Sequence, residues 1–307
     1  MPPCLLRWFR IDGAGTALDR NSQIKRSARS EALARPPKAR HNAFMSQPAR
    51  RFESLHIAVT GGGTGIGRAI ALRLASEGAR VSLLARDRAR LEKVAGEARA
   101  QGASAARAIA CDTRDEGAVE RAFSEACEHA GPLYALVANS GIGGANTPGS
   151  ADRFGDLVAT NLNGTYHCLR AAERRLLSGP RTRHLVAIAS VLARLGVGGY
   201  TGYCASKAGV CGLVRALAVE LAPRNVQVNA VLPGWVETDM AQAGLQDMAR
   251  SLRTSVDEAR KLALSSVPLG RMAQPEDIAG LVAWLISDDA RGVTGASLDA
   301  NNGALMS

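Results

Sequence analysis

Short apolar runs rich in branched side chains alternate along most of the chain with longer segments whose apolar positions recur every three to four residues. The runs at 55–60 (LHIAVT), 80–85 (RVSLLA), 105–110, 133–138 (LYALVA), 184–189 (HLVAIA) and 226–232 (VQVNAVL) predict strands, with a last short strand at 297–298. Between them the pattern predicts helices from the glycine cluster to Glu77, over 87–100, 115–130, 151–178 and 203–222, and from Pro275 onward. Pro223 bars the residue before it from helix geometry, whereas Pro275 suits a first helical turn. Such alternation predicts parallel strands joined by right-handed crossovers, hence one doubly wound α/β sheet of about seven strands with helices on both faces. Sheets of this kind bind ligands at the carboxyl ends of their strands.

Composition narrows the picture without changing it. The chain has 307 residues, 46% hydrophobic and 21% charged, enough to bury a sizeable core. No apolar run is long enough for a membrane-spanning helix. The net charge of +10 is unevenly spread: residues 1–44 hold nine Lys/Arg and three acids. Residues 1–51 therefore read as a basic extension, either disordered or arising from a start upstream of Met45, and 52–307 as the folded domain. A nucleic-acid partner is not expected, because the charge excess sits mostly in the extension. The six cysteines form no CxxC and the five histidines no HxxxH. That pattern predicts reduced cysteines, a cytoplasmic location and no metal.

Chemistry appears just after the strands. Thr60, Gly61, Gly62, Gly63, Thr64, Gly65, Ile66 and Gly67 follow the first strand and open a helix. Glycine lets backbone amides approach a pyrophosphate, and the helix N-terminus adds free N–H groups. The second strand ends in Ala85-Arg86-Asp87, with alanine where an acid would hold an NAD ribose. A guanidinium suits a 2′-phosphate, so Arg86 favours NADP(H), with NAD(H) as the other possibility. Asp87 is also placed to cap the next helix.

Tyr203 and Lys207 stand four apart, on one helix face. A phenol normally titrates near 10, and a neighbouring ammonium lowers that value, which allows proton transfer to a ketone oxygen or from an alcohol. Ser190 ends the fifth strand and is placed to donate to the same oxygen. Asn161 sits in mid-helix, where asparagine is unfavourable. It marks either a helix distortion that holds a water near Lys207 or a tolerated polar position.

Thr60-Gly-x-x-x-Gly-x-Gly67, Asn139-Ser140-Gly141, Asn161, Ser190, Tyr203-x-x-x-Lys207 and Pro233-Gly234 resemble, in order and spacing, the short-chain dehydrogenase/reductase family, over about residues 54–304. The resemblance implies a Rossmann-type fold and an NAD(P)-dependent oxidoreductase. Tyr203 becomes the acid/base, and Lys207 its partner on the nicotinamide ribose. Ser190 orients the substrate oxygen, and Asn161 holds the water of a proton relay. The resemblance also implies that Asp112 and Thr113 meet the adenine, Asn139 and Gly141 back the cofactor, and Val236 and Thr238 meet its carboxamide and phosphates. Two departures stand out: Thr64 occupies a position often basic in NADP enzymes, and the C-terminal segment reads Asn301-Asn302-Gly303.

Segments such as 233–240 and 267–271 are similar to those of 3-oxoacyl-carrier-protein reductases and aromatic-polyketide ketoreductases. They imply NADPH-dependent reduction of a β-ketoacyl or polyketide-like ketone, whether thioester-linked or free, by a dimer or tetramer. The alternative is a secondary-alcohol dehydrogenase working toward oxidation. Residues 238–268 are expected to form a lid, with Trp235, Met240, Leu245 and Met248 lining an apolar pocket or simply packing.

Overall fold

A computed structural model describes residues 50–306. The expected extension lies outside the described residues except for Arg50 and Arg51. Arg51 forks onto the buried Glu77 at 2.6 and 2.8 Å, so the packed domain reaches back past residue 52.

Seven parallel strands form one sheet in the order β3-β2-β1-β4-β5-β6-β7. They are β1 (His56–Thr60), β2 (Arg80–Ala85), β3 (Ala105–Ala110), β4 (Ala135–Ala138), β5 (Arg183–Ile188), β6 (Val226–Pro233) and β7 (Ser297–Ala300). Side chains alternate across the sheet, as the period of a strand requires. Ile57, Val59, Val81 and Leu83 face α1 (Gly65–Ser76), α2 (Arg88–Ala100) and α9 (Pro275–Leu285). Ala58, Leu84, Leu136 and Leu185 face α3 (Glu116–Ala130), α5 (Gly164–Glu173) and α6 (Thr201–Leu221). The strand order reverses between β1 and β4, which leaves a crevice above their carboxyl ends.

The fourth strand starts later than its apolar run. Leu133 is already outside the ladder and makes an isolated bridge to Leu176. The helix expected over 151–178 is instead α4 (Phe154–Val158), a π turn (Ala159–Asn163) and α5, ending at Glu173. The α-helix ends at Leu221, as Pro223 predicts, but Ala222 keeps helical angles (φ −54°, ψ −42°) in a 3-10 turn (Ala222–Arg224) that ends on Asn225 at φ 54°. The segment expected to form a lid folds as α7 (Asp239–Leu252) and α8 (Val256–Leu264). Ser255 and Glu258 close a capping box at the start of α8.

Candidate active site

The glycine loop is fixed by contact rather than by choice of turn. Gly61 and Gly65 take φ of 65° and 50°. A Cβ on Gly67 would lie 2.1 Å from the Gly61 carbonyl oxygen, so only glycine lets α1 start this close to the loop. Thr60 Oγ1 accepts from the backbone N–H of Asn139 and Ser140, both at 3.0 Å. Asn139 Nδ2 donates back to the carbonyls of Thr60 and Gly61 at 3.1 and 3.2 Å. These bonds lock the ends of β1 and β4 together beside the crevice. Ile66 turns away and packs on the core below α1.

Gly61, Gly63, Thr64, Ala85, Arg86, Asp87 and Arg90 line a cleft of about 540 Å³. Arg90 was not singled out in the sequence. Its Cβ would touch a Cβ placed on Gly63 at 3.4 Å, so this second arginine packs against the loop. The available signal was its place in the first turn of α2, three residues after the cap. Asp87 is that cap: its Oδ1 accepts from the Arg90 N–H at 3.1 Å, and its Oδ2 pairs with Arg90 Nε at 3.1 Å.

Asp112 follows β3 and is gripped by the Arg114 guanidinium at 2.6 Å, which holds its carboxyl below the usual range; Arg86 adds a smaller pull. Thr113 turns the other way. Its hydroxyl stands 2.7 Å from where a Gly164 Cβ would be, against α5, and its carbonyl accepts from His167 Nδ1 at 3.1 Å. Pro233 ends β6, and the Gly234 N–H donates to the Ala300 carbonyl of β7 at 3.2 Å. Val236 is buried and bridges to Ala273. Thr238 caps α7 through the Ala241 N–H at 3.2 Å, and its methyl comes within 3.0 Å of a Cβ built on Gly65. The fold thus brings Thr238, nearly 180 residues downstream, onto the glycine loop.

Ser190 follows β5 in extended backbone, its Oγ accepting from the Leu192 N–H at 3.2 Å, and Tyr203 enters from the first turn of α6. Burial pushes the Tyr203 phenol above its ordinary value, and the Ser190 hydroxyl opposes that shift. The expected lowering by Lys207 is therefore not what the structure shows. The Lys207 ammonium lies 5.8 Å from the Tyr203 ring centroid, over its face, and donates to the Ile188 carbonyl at 2.9 Å. Burial without a carboxylate partner lowers Lys207 itself to about 8.

Asn161 is fully buried at the centre of the π turn. Its Oδ1 accepts from the Ile142 N–H at 2.8 Å, while Nδ2 donates to the Ile142 carbonyl at 3.0 Å and to Ser206 Oγ at 3.2 Å. The helix distortion is real, and the side chain clamps the loop after β4. Gly141, next to that clamp, has room for no side chain without crowding: a Cβ would lie 3.1 Å from Asn161 Oδ1 and 3.4 Å from Lys207 Nζ. Asn146 is a second clamp that sequence reasoning missed. Buried in the same loop, it accepts from the Gly202 N–H at 2.9 Å, just before Tyr203.

In the lid, Leu245 is fully buried, and Trp235 and Met248 pack against the same small cluster. Met240 alone stays at the mouth, its sulfur 3.0 Å from a Cβ built on Gly143. Among the described residues no group of three His, Cys, Asp or Glu is placed to hold a metal, and no helix is long and apolar enough to cross a membrane.

A family model described as enoyl-(acyl carrier protein) reductase matches residues 61–304. The chain is 36% identical over 251 residues to a 3-oxoacyl-[acyl-carrier-protein] reductase of Staphylococcus aureus, covering 81% of this chain and 97% of that one. It resembles a solved variant of actinorhodin polyketide ketoreductase with NADPH at TM-score 0.76 and 35% identity, over 83% of this chain and 98% of that one. Levodione reductase aligns at TM-score 0.75 and 31% identity, over 82% and 98%.

Proposed function

The chain belongs to the short-chain dehydrogenase/reductase family of oxidoreductases, and from that premise we propose that it is an NADPH-dependent carbonyl reductase acting on β-ketoacyl or polyketide-like ketones. The observation that carries this reading is the buried Lys207 ammonium held over the face of the Tyr203 ring, with the Ser190 hydroxyl acting on the same buried phenol.

The cradle fits a dinucleotide. Gly61 and Gly67 leave no room for side chains where a pyrophosphate would approach, and the cleft beside them carries two guanidiniums. Arg86 and Arg90 would hold the 2′-phosphate, and Thr238 and Asn139 the far side of the loop. When bound, the nicotinamide supplies the hydride. The protein's own residues handle the oxygen. Ser190 donates to the carbonyl oxygen and fixes its position. Tyr203 gives that oxygen its proton. The Lys207 ammonium opposes the negative charge left on the phenol oxygen. Asn161 and Gly141 keep the loop after β4 against Lys207, so the geometry is set before substrate arrives.

The test is NADPH consumption on 3-oxoacyl thioesters, bicyclic diketones, cyclic ketones and an enoyl thioester. Tyr203→Phe should lose about two to four orders of magnitude in turnover while still binding NADPH. Equal rates in the variant would reject Tyr203 as the acid. Reduction of the enoyl thioester alone would move the reaction from the carbonyl to the double bond. Turnover only with alcohols would favour the oxidation direction.

A further inference from the structure

Arg153 stands directly before α4 and has no task in the reading above. Its Nη2 donates to the Gly143 carbonyl at 3.4 Å, and Nη1 lies 2.9 Å from a Cβ built on Gly144. This loop is a wall of the reaction site, since Gly141 lies against Lys207. The next residue, Phe154, brings its Cα to 3.1 Å from a Cβ on Gly202, the residue before Tyr203. The guanidinium therefore rests on the Gly143–Gly144 stretch of the loop, and the residue after it packs on the helix that carries Tyr203. The lid closes a third side, with Met240 against Gly143.

The adjacent acid is engaged elsewhere: Asp152 accepts from Asn146 Nδ2 and the Phe154 N–H at 3.0 and 2.9 Å. Among the described residues no carboxylate pairs with Arg153. What remains is an exposed guanidinium with free donors beside Gly143 and Gly144, on the loop that Met240 also touches. Such a fork matches phosphate or carboxylate oxygens.

We propose that Arg153 binds an anionic group that the substrate carries away from its reacting carbonyl; this rests on the ketone-reductase reading. The group has two sources: the phosphate of a pantetheine-type arm on a thioester, or the carboxylate of a free keto acid. The experiment compares kcat/KM on three substrates with one 3-oxoacyl chain: the coenzyme A thioester, the free 3-oxo acid and the neutral N-acetylcysteamine thioester. In Arg153→Ala and Arg153→Gln, the preference for one anionic substrate over the neutral one should fall about tenfold, in KM rather than kcat. High salt should erase the same preference in the unaltered protein. The anion whose preference falls names the source. An unchanged preference for both anions overturns the proposal. No NADPH oxidation on any of the three by the unaltered protein overturns the reductase reading, and the proposal with it.

Discussion

A methyl group added at Gly67, in the first turn of α1, would overlap the Gly61 carbonyl oxygen at 2.1 Å; the same methyl at Gly244, in the lid helix α7, would rest 3.6 Å from the Trp235 ring. The cofactor side of the crevice is determined by backbone meeting backbone. There the pieces are two strand ends, a glycine loop and a helix N-terminus tied by Thr60 and Asn139. The substrate side is held by side chains: a small satellite cluster around Leu245, helix caps and the two asparagine clamps. The first arrangement has no slack, which suits a ligand part that never varies. The second has room to adjust, which suits a lid and a variable substrate.

The sharpest way to break the comparison is Gly67→Ala. Forcing the loop and helix apart should abolish dinucleotide binding and cost about 3 kcal/mol of stability, measured by cofactor titration and urea unfolding. Normal binding in this variant would mean the loop is not over-determined. Next come the two arginines. Arg86→Ala and Arg90→Ala should each lower NADPH affinity about ten- to a hundredfold, with NADH affinity little changed. A loss for Arg86 alone would return Arg90 to being only the partner of Asp87.

Lys207, where the two sides meet, sharpens the comparison through pH. Its value in the fold is about 8, below the 10.5 of the exposed amine. Between these values the unfolded chain binds more protons than the folded one, so stability from this group rises as pH increases. Unfolding free energy, taken as the difference from Lys207→Met, should gain about 1 kcal/mol from pH 7 to 9. A flat difference would place Lys207 in contact with water. The smallest effect belongs to the lid. Gly244→Ala fills ordinary contact space inside a helix and should raise stability by about 1 kcal/mol, read as an upward shift in Tm.

The two sides also differ in how far they were legible. β2 spans the residues of its run, and β1, β5 and β6 lie within one residue of theirs, because branched side chains between glycine, proline and polar turn residues mark a strand locally. The glycine loop and Tyr203–Lys207 were legible because each acts across a few residues. The π turn was legible only as one of two readings of Asn161, since what stabilises it is that side chain bonding to Ile142, 19 residues earlier in the chain. Asn139 and Thr60 were visible as residue types, but their mutual bonds span 79 positions. Arg90 was hidden among the other arginines of α2, and nothing local separates the one beside the glycine loop from those in solvent.

The sequence by itself determined the alternation of strands and helices, the phosphate loop and the spacing of the proton-handling pair. These are properties of steric preference, hydrophobic period and helix pitch, and each is complete within one or two elements. Only the tertiary structure decided which arginines share the cleft, that burial raises Tyr203 and lowers Lys207, and that Leu245 of the four expected pocket residues is core. Those outcomes depend on desolvation and contact between segments far apart in the chain, which no local pattern encodes.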